Sequence, residues 1–486
     1  MNEAYEGLQP AEMWRHFDAL NRIPRGSKHE AAARDYVLKV AAKAGLKSAV
    51  DLRGNVVVYV PARGERAGAA VVIVQSHLDM VLNPAQSAEY DGLRDPIVPR
   101  REGDAIYASG TTLGADNGIG IAAMLALITT PGLDHGSLEL LFTVEEEIGL
   151  LGAAEIDASL LSGRRLINLD SEDLGVITIG CAGGRTYAIT LTVASDGCEE
   201  GCEAFDIALS GLRGGHSGIE IATGRANSIK LLSHLLSAVN AAGIDWRLAS
   251  ISGGEARNAI PATASAQVIV ASRNAAAFKR ITQETSRNLH ESWGEGEPGL
   301  SLRATAAEQP SSCWTREDAS RVLALLEGIP TGVVAMSLDF EGKVQTSQNL
   351  AVVQGAGNEV TVAVSTRSFF EADLDRLEEE LQGIARTVAG SCRRESGYPG
   401  WPPAGGSALL TATVKSLNAA LGKEPEIEVV HAGLECGVIA ARLPGLEAVS
   451  IGPDIRDAHR TTEHILFGSV EPFWRALLLI LDEAAR

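Results

Sequence analysis

The residues of this chain that can do chemistry fall in five short stretches: HLD at 77–79, GADNG at 114–118, EEE at 145–147, NLD at 168–170 and DAHRTTEH at 457–464. Each brings carboxylates or imidazoles together, and none contains a cysteine. Such ligands, without thiolate, suit Zn, Mn or Co at a hydrolytic centre rather than a structural zinc. In a strand, residues i and i+2 share a face, so Asp79 can hold one ring nitrogen of His77 while the other faces a metal. Two metals about 3.5–4 Å apart need one ligand that reaches both. Asp116 fits, because Gly114 and Gly118 leave room for backbone close to the ions. Two divalent ions bring roughly +4, and Asp116, Glu146 and Asp170 return about −3. Glu145 is then left free to act as a base. His459 supplies a further ligand, with His464 the competing choice.

These stretches need elements that carry them to one place. NVVVYV (55–60), AAVVIVQSHLDM (69–80), SLELLFTVEEE (137–147) and RRLINLDSED (164–173) are apolar runs that read as buried strands. IGIAAMLALI (119–128) reads as a buried helix following GADNG. His77 and Asp79, Glu145 and Glu146, and Asp170 each stand where a strand ends, the side on which open α/β sheets bind ligands. From about residue 186 the pattern changes. TYAITLTVAS, EAFDIALSG and TASAQVIVAS alternate apolar and polar residues, as half-exposed strands do, with amphipathic helices between them. A second set of helices and strands follows. SGYPGWPPAGGS (396–407) then reads as a linker back to the first part. The expected architecture is a mixed-sheet α/β catalytic domain, residues 1–185 and 400–486, interrupted by an α+β domain over 186–399.

Composition narrows the function classes. The 486 residues carry a net charge of −20, which argues against nucleic acid, since phosphate contacts need clustered Lys and Arg. There is no run of about 18 apolar residues for a membrane span, and MNEAYEGLQPAEMW has no signal-peptide pattern. The six cysteines are scattered; Cys198 and Cys202 form a C-x-x-x-C with no second pair to complete a thiolate zinc site. Reduced thiols in the cytoplasm are expected.

HLDM, GTTLGADNGIGIA, FTVEEEIGLLGA, LINLDSE, GGHSG, RNAIPA, HAGLECG and IGPDIRDAHRTTE together resemble the aminoacyl-histidine dipeptidase family, one of the co-catalytic zinc peptidases. The resemblance runs over nearly the whole chain. It implies that the interrupting domain is a lid, and that His77, Asp116 and Asp170 hold one zinc while Asp116, Glu146 and His459 hold the other. It implies Glu145 as general base and acid, Asp79 as the residue that orients His77, and a cis peptide between Asp116 and Asn117. His216, in GLRGGHSGIEI, would donate to the scissile carbonyl oxygen, and Asn258 would contact substrate. Relatives in the wider group carry an arginine in the strand after RNAIP, where this chain has Ala271; Arg367 is therefore the expected clamp for the substrate carboxylate. Glu435 would meet the substrate amine.

The implied activity is metal-dependent hydrolysis of dipeptides of the Xaa-His type, including β-alanyl-histidine, with two Zn ions first and Mn or Co sharing the ligand set. A homodimer is the expected assembly. An amidohydrolase acting on N-acyl amino acids, or a non-catalytic binding protein on the same fold, are the competing readings.

Overall fold

The computed structural model describes residues 1–64, 66, 68–85 and 89–484. They form two compact units, one of residues 1–181, 401–429 and 434–486, the other of residues 182–400 and 430–433. The strand Gly183–Thr192 carries 183–185 into the second unit.

The first unit is built on an eight-stranded mixed sheet in the order Lys47–Val50, Val56–Val60, Leu138–Thr143, Val72–His77, Arg165–Asn168, Glu447–Ser450, Val176–Cys181, Glu426–Val430. Its central strands are parallel, Val72 opposite Leu138 and Arg165, and Glu447 opposite Arg165. Every residue of Val72–His77 and of Leu138–Thr143 is buried, which is why these segments read as apolar runs rather than alternating ones. The helix Ala115–Thr129 is apolar on all sides because it is buried on all sides: Ile119 to Leu127 contribute no appreciable surface. Truncating Leu125, at its centre, to alanine would cost about 2–5 kcal/mol through lost burial and the cavity left.

The second unit is a nine-stranded antiparallel sheet. Eight strands run in the order Ser301–Ala307, Cys202–Ser210, Ala264–Ala271, Trp246–Gly253, Val344–Ala356, Glu359–Ser368, Gly183–Thr192, Ser391–Tyr398, and Gly332–Met336 pairs beside Val344–Ala356. Tyr187, Ile189 and Leu191 on one strand, Phe205, Ile207 and Leu209 on another, and Val360, Val362 and Val364 on a third point to one side. There they join residues of the helices Ser228–Ala241, Ala275–Trp293, Arg316–Gly328 and Glu371–Thr387 in a single core. The period of two is thus one buried face under four helices. The sheet has two halves, one contributed by 202–307 and the other by 183–192 with 344–398, and they meet where Ser250–Gly253 pair with Val353–Ala356.

Candidate functional site

His77 closes the strand Val72–His77, and its wholly buried ring faces three acids. Nε2 lies 3.0 Å from Asp116 Oδ1 and 3.3 Å from Asp170 Oδ1. Nδ1 lies 3.4 Å from Asp79 Oδ1, an electrostatic contact longer than a hydrogen bond. Asp79 is itself held firmly. It accepts from Ser27 Oγ at 2.8 Å and from the backbone N–H groups of Glu146 and Glu147 at 3.0 and 3.2 Å. One carboxylate therefore orients the His77 ring and pins the turn that carries the triple-glutamate stretch.

Asp116 stands at the mouth of the helix Ala115–Thr129 with extended rather than helical backbone, and its peptide to Asn117 is cis. Its second oxygen, Oδ2, lies 3.1 Å from His459 Nε2, so its two oxygens face the two imidazoles separately. Glu147 Oε2 lies 3.0 Å from the same His459 nitrogen. His77, Asp116 and Asp170 offer ligand atoms to one point; Asp116, Glu147 and His459 offer them to another. His459 reaches its position in the left-handed region, φ 65°, with its carbonyl held by Asn83 Nδ2 at 2.6 Å. His464, the competing choice, stacks on Tyr107 with ring centroids 4.5 Å apart and donates from Nδ1 to Thr462 O at 2.9 Å.

The triple glutamate departs from the sequence expectation by one residue. Glu145, expected as the base, forms an ion pair with Arg53, Nη2 to Oε2 2.7 Å. Glu146, expected as the second-metal ligand, is grouped with His77 and Glu147, and it is Glu147 that meets His459. The cause is local. The strand ends at Thr143, and Glu145 adopts φ 52°, so alternation cannot be counted past the strand end. Glu145 is turned toward Arg53, and the next two acids are turned inward.

The glycines of GADNG also serve a purpose other than the expected one. Gly114 has φ 67°, and a Cβ there would come within 2.6 Å of both Arg25 Nη2 and Met80 Sδ; a Cβ on Gly118 would meet Arg25 Nη2 at 2.6 Å and Phe17 Cε2 at 2.9 Å. They make room for Arg25, a wholly buried guanidinium that donates to Leu78 O at 3.1 Å, Asp79 O at 2.8 Å and Gly114 O. A second residue escaped the sequence reading in its role. The buried carboxylate of Glu463 accepts from the backbone N–H groups of Leu113, Gly114, Ala115 and Asp116 at 2.8, 2.9, 2.7 and 3.3 Å. It is thereby the cap of this helix mouth, supplied from a segment some 350 residues away. Only its position four residues after His459 hinted at this.

Electrostatics follow from packing several acids close together. Burial, then the neighbouring acids, raise Glu146 well above the usual carboxylate range. Burial and then the Asp116 charge also raise Glu147. Burial opposes protonation of His77, but Asp170, Asp116 and Asp79 outweigh it and its pKa rises. Hydrogen bonds to Asp116 and Glu147 push His459 up to about 11. Such a pocket calls for positive charge, and its ligand types are those of a pair of divalent ions. Deeper in the unit, Glu435 is wholly buried; Oε2 accepts from Thr143 Oγ1 at 2.7 Å and from Gln75 Nε2, while Oε1 has no partner.

In the second unit, His216 and Asn258 are brought together by a short ladder, His216 opposite Ala259. His216 Nδ1 accepts from the N–H groups of Gly218 and Ile219 at 3.3 and 3.1 Å, which fixes the remaining proton on Nε2. Burial and the adjacent Arg367 lower its pKa to about 4. Arg367 Nη2 lies 3.4 Å from His216 Nε2, Nη1 donates to Tyr398 Oη at 2.7 Å, and Nε is buried without a partner. Asn258, Arg257, Arg367 and Tyr398 line a cavity of about 120 Å³. His431, in HAGLECG, joins this group although its residue type there gave no sign of a role. Its Nε2 is 2.7 Å from Ser347 Oγ, and a Cβ on Gly218 would strike its carbonyl while standing 3.1 Å from Arg367 Nε and from His216 Cε1.

Residues 207–296 match the family described as the peptidase dimerisation domain. Over 476 residues the chain is 34% identical to the cytosol non-specific dipeptidase of Escherichia coli strain K12, covering 98% of this chain and 98% of that one. It is similar to the structure of the aminoacylhistidine dipeptidase from Vibrio alginolyticus at 35% identity and a TM-score of 0.89, over 99% of this chain and 98% of that one. A tripeptidase structure from Staphylococcus aureus shares the fold at 16% identity and a TM-score of 0.59, over 99% of both chains. Among the described residues no helix is long and apolar enough to cross a membrane.

Proposed function

We propose that this chain, which belongs to the aminoacyl-histidine dipeptidase family, is a metal-dependent dipeptidase whose substrates are aminoacyl-histidine dipeptides, the β-alanyl type included. In this reading His77, Asp116 and Asp170 hold one divalent ion and Asp116, Glu147 and His459 the other, zinc being the first candidate and Mn or Co sharing the ligands. The observation that carries it is the division of Asp116, one oxygen toward His77 and the other toward His459, with a half-buried glutamate, Glu146, that neither cluster needs.

Bound divalent ions supply the acidity that makes water a nucleophile near neutral pH. Glu146, and not Glu145, is the base in this proposal. Its raised pKa suits it to take a proton from water and return it to the leaving amine. His216, neutral with its proton on Nε2, is the proposed donor to the carbonyl oxygen as charge develops there. Arg367 is the proposed carboxylate clamp, with its unpartnered Nε as the spare donor. Asn258 lines the same cavity. The unpartnered Oε1 of Glu435 is the acceptor proposed for the substrate's free amine. The dimerisation-domain match over 207–296 supports a homodimer, and the name of the Escherichia coli relative supports a cytoplasmic protein.

The test compares two neighbours. Glu146→Gln is expected to lower kcat on an aminoacyl-histidine dipeptide by about 10³-fold with metal content retained, whereas Glu145→Gln stays within about threefold of the parent. If Glu145→Gln is the one that collapses, the assignment is wrong. Assaying N-acyl amino acids in parallel separates a dipeptidase from an amidohydrolase.

A further inference from the structure

The second unit holds a cluster that hydrolysis does not use. Cys198 follows the short strand Ser195–Gly197, which pairs with Ser312–Trp314 so that Asp196 is opposite Cys313. This places the Sγ atoms of Cys198 and Cys313 3.3 Å apart. Cys313 is buried in a small apolar cluster with Ala204 and Ile269, and half-buried Cys198 and Cys202 pack against it. Cys202 and Cys313 share one cation: Arg247, itself buried, reaches Gly197 O at 3.5 Å and is countered by Glu199 at 3.5 Å. Its charge favours thiolate at Cys202 and Cys313, although burial dominates and leaves Cys313 at about 12. The three thiols do not converge closely enough to form a metal-ligand group among the described residues.

We propose that Cys198 and Cys313 form a thiol–disulfide exchange site that reacts with small disulfides of the glutathione class. Half-exposed Cys198 is the accessible sulfur. As thiolate it attacks one sulfur of the small disulfide, forming a mixed disulfide and expelling the other half as a thiolate that takes up a proton. Cys313 then gives up its proton and attacks the Cys198 sulfur, forming the Cys198–Cys313 bond and releasing the second small thiol. Two protein thiols are oxidised and one small disulfide is reduced to two thiols, so no further oxidant is needed. Closing from 3.3 Å to bonding distance asks for a movement of about 1.3 Å. Cys198 can supply it, because it lies just past the strand end, between Gly197 and the left-handed Gly201.

The test uses the full chain incubated with oxidised glutathione over a range of reducing poise, quenched by alkylation and mapped by peptide mass spectrometry. The expected product is a Cys198–Cys313 linked peptide, reversed by reduced glutathione, with Cys181, Cys392 and Cys436 alkylated throughout. Cys313→Ser is expected to stop at a glutathione adduct on Cys198. In the parent protein the cross-link is expected to raise Tm by several degrees, because it joins residues far apart in the chain, and Cys198→Ser removes that shift. Dipeptidase activity of Cys198→Ser is expected to match the parent. A stable adduct at Cys198 without cross-link, a cross-link to Cys202 instead, or no reaction at Cys198 would each overturn the proposal.

Discussion

The acid pocket of the first unit and the cavity of the second treat histidine in opposite ways. In the first, His459 lies between Asp116 and Glu147, and their hydrogen bonds push its pKa up to about 11. In the second, His216 is buried beside Arg367 and falls to about 4, and His431, buried and facing the same guanidinium, falls to about 3. The residue type is the same and the surroundings set its charge. One pocket gathers acids that favour a cation; the other gathers neutral histidines beside Arg367 in a cavity that Arg257 also lines, an arrangement suited to an anion or a polarised carbonyl.

The strongest way to break this comparison is to remove the neutral histidine. His216→Ala is expected to lower kcat by about 10²-fold while metal stoichiometry, read by inductively coupled plasma analysis, stays unchanged. Loss of metal together with activity would show that His216 acts on the acid pocket instead. Titration sharpens the contrast next. In metal-free protein, imidazole NMR signals should show His459 still protonated at about pH 9 and His216 still neutral at about pH 5. The signs for stability are opposite. The raised pKa of His459 gives a contribution fully present below its unfolded value of 6.5 and lost as pH rises through about 11. The lowered pKa of His216 gives one present above 6.5 and lost as pH falls toward about 4. Metal binding must displace the His459 proton, so calorimetry in buffers of different ionisation enthalpy should record proton release and an affinity that rises with pH. The smallest effect is expected at Glu463. Glu463→Gln keeps one acceptor oxygen for the four N–H groups at 113–116 and should cost about 1–3 kcal/mol in denaturant unfolding.

Much of the first unit was legible because parallel strands announce themselves. Fully buried runs such as VIVQSH and LELLFT have few alternatives, and polar residues at their ends mark where a sheet binds ligands. His77 and Asp170 could be picked out on those grounds, Asp116 from its flanking glycines ahead of a helix and His459 from the polar loop after a core strand, and the structure brings them together. The order of roles within Glu145–Glu147 was not legible, since strand periodicity ends at Thr143 and a single left-handed residue decides which acid faces inward. Arg25 and Glu463 were hidden for a different reason. Their partners are backbone carbonyls and amides remote in sequence, and a backbone group has no residue type to reveal it. Gly114 and Gly118, expected to let backbone come close to the ions, also give room to the Arg25 guanidinium, which the sequence did not signal.

The seam between Trp246–Gly253 and Val344–Ala356 has a kinetic consequence. His216 sits on a separate two-stranded ladder within 202–307 and Arg367 on the strand Glu359–Ser368 beyond the seam, yet both are on one polypeptide and 3.4 Å apart. Their encounter is intramolecular, so diluting the protein cannot separate them, and turnover per chain has no term for their association even at nanomolar concentration.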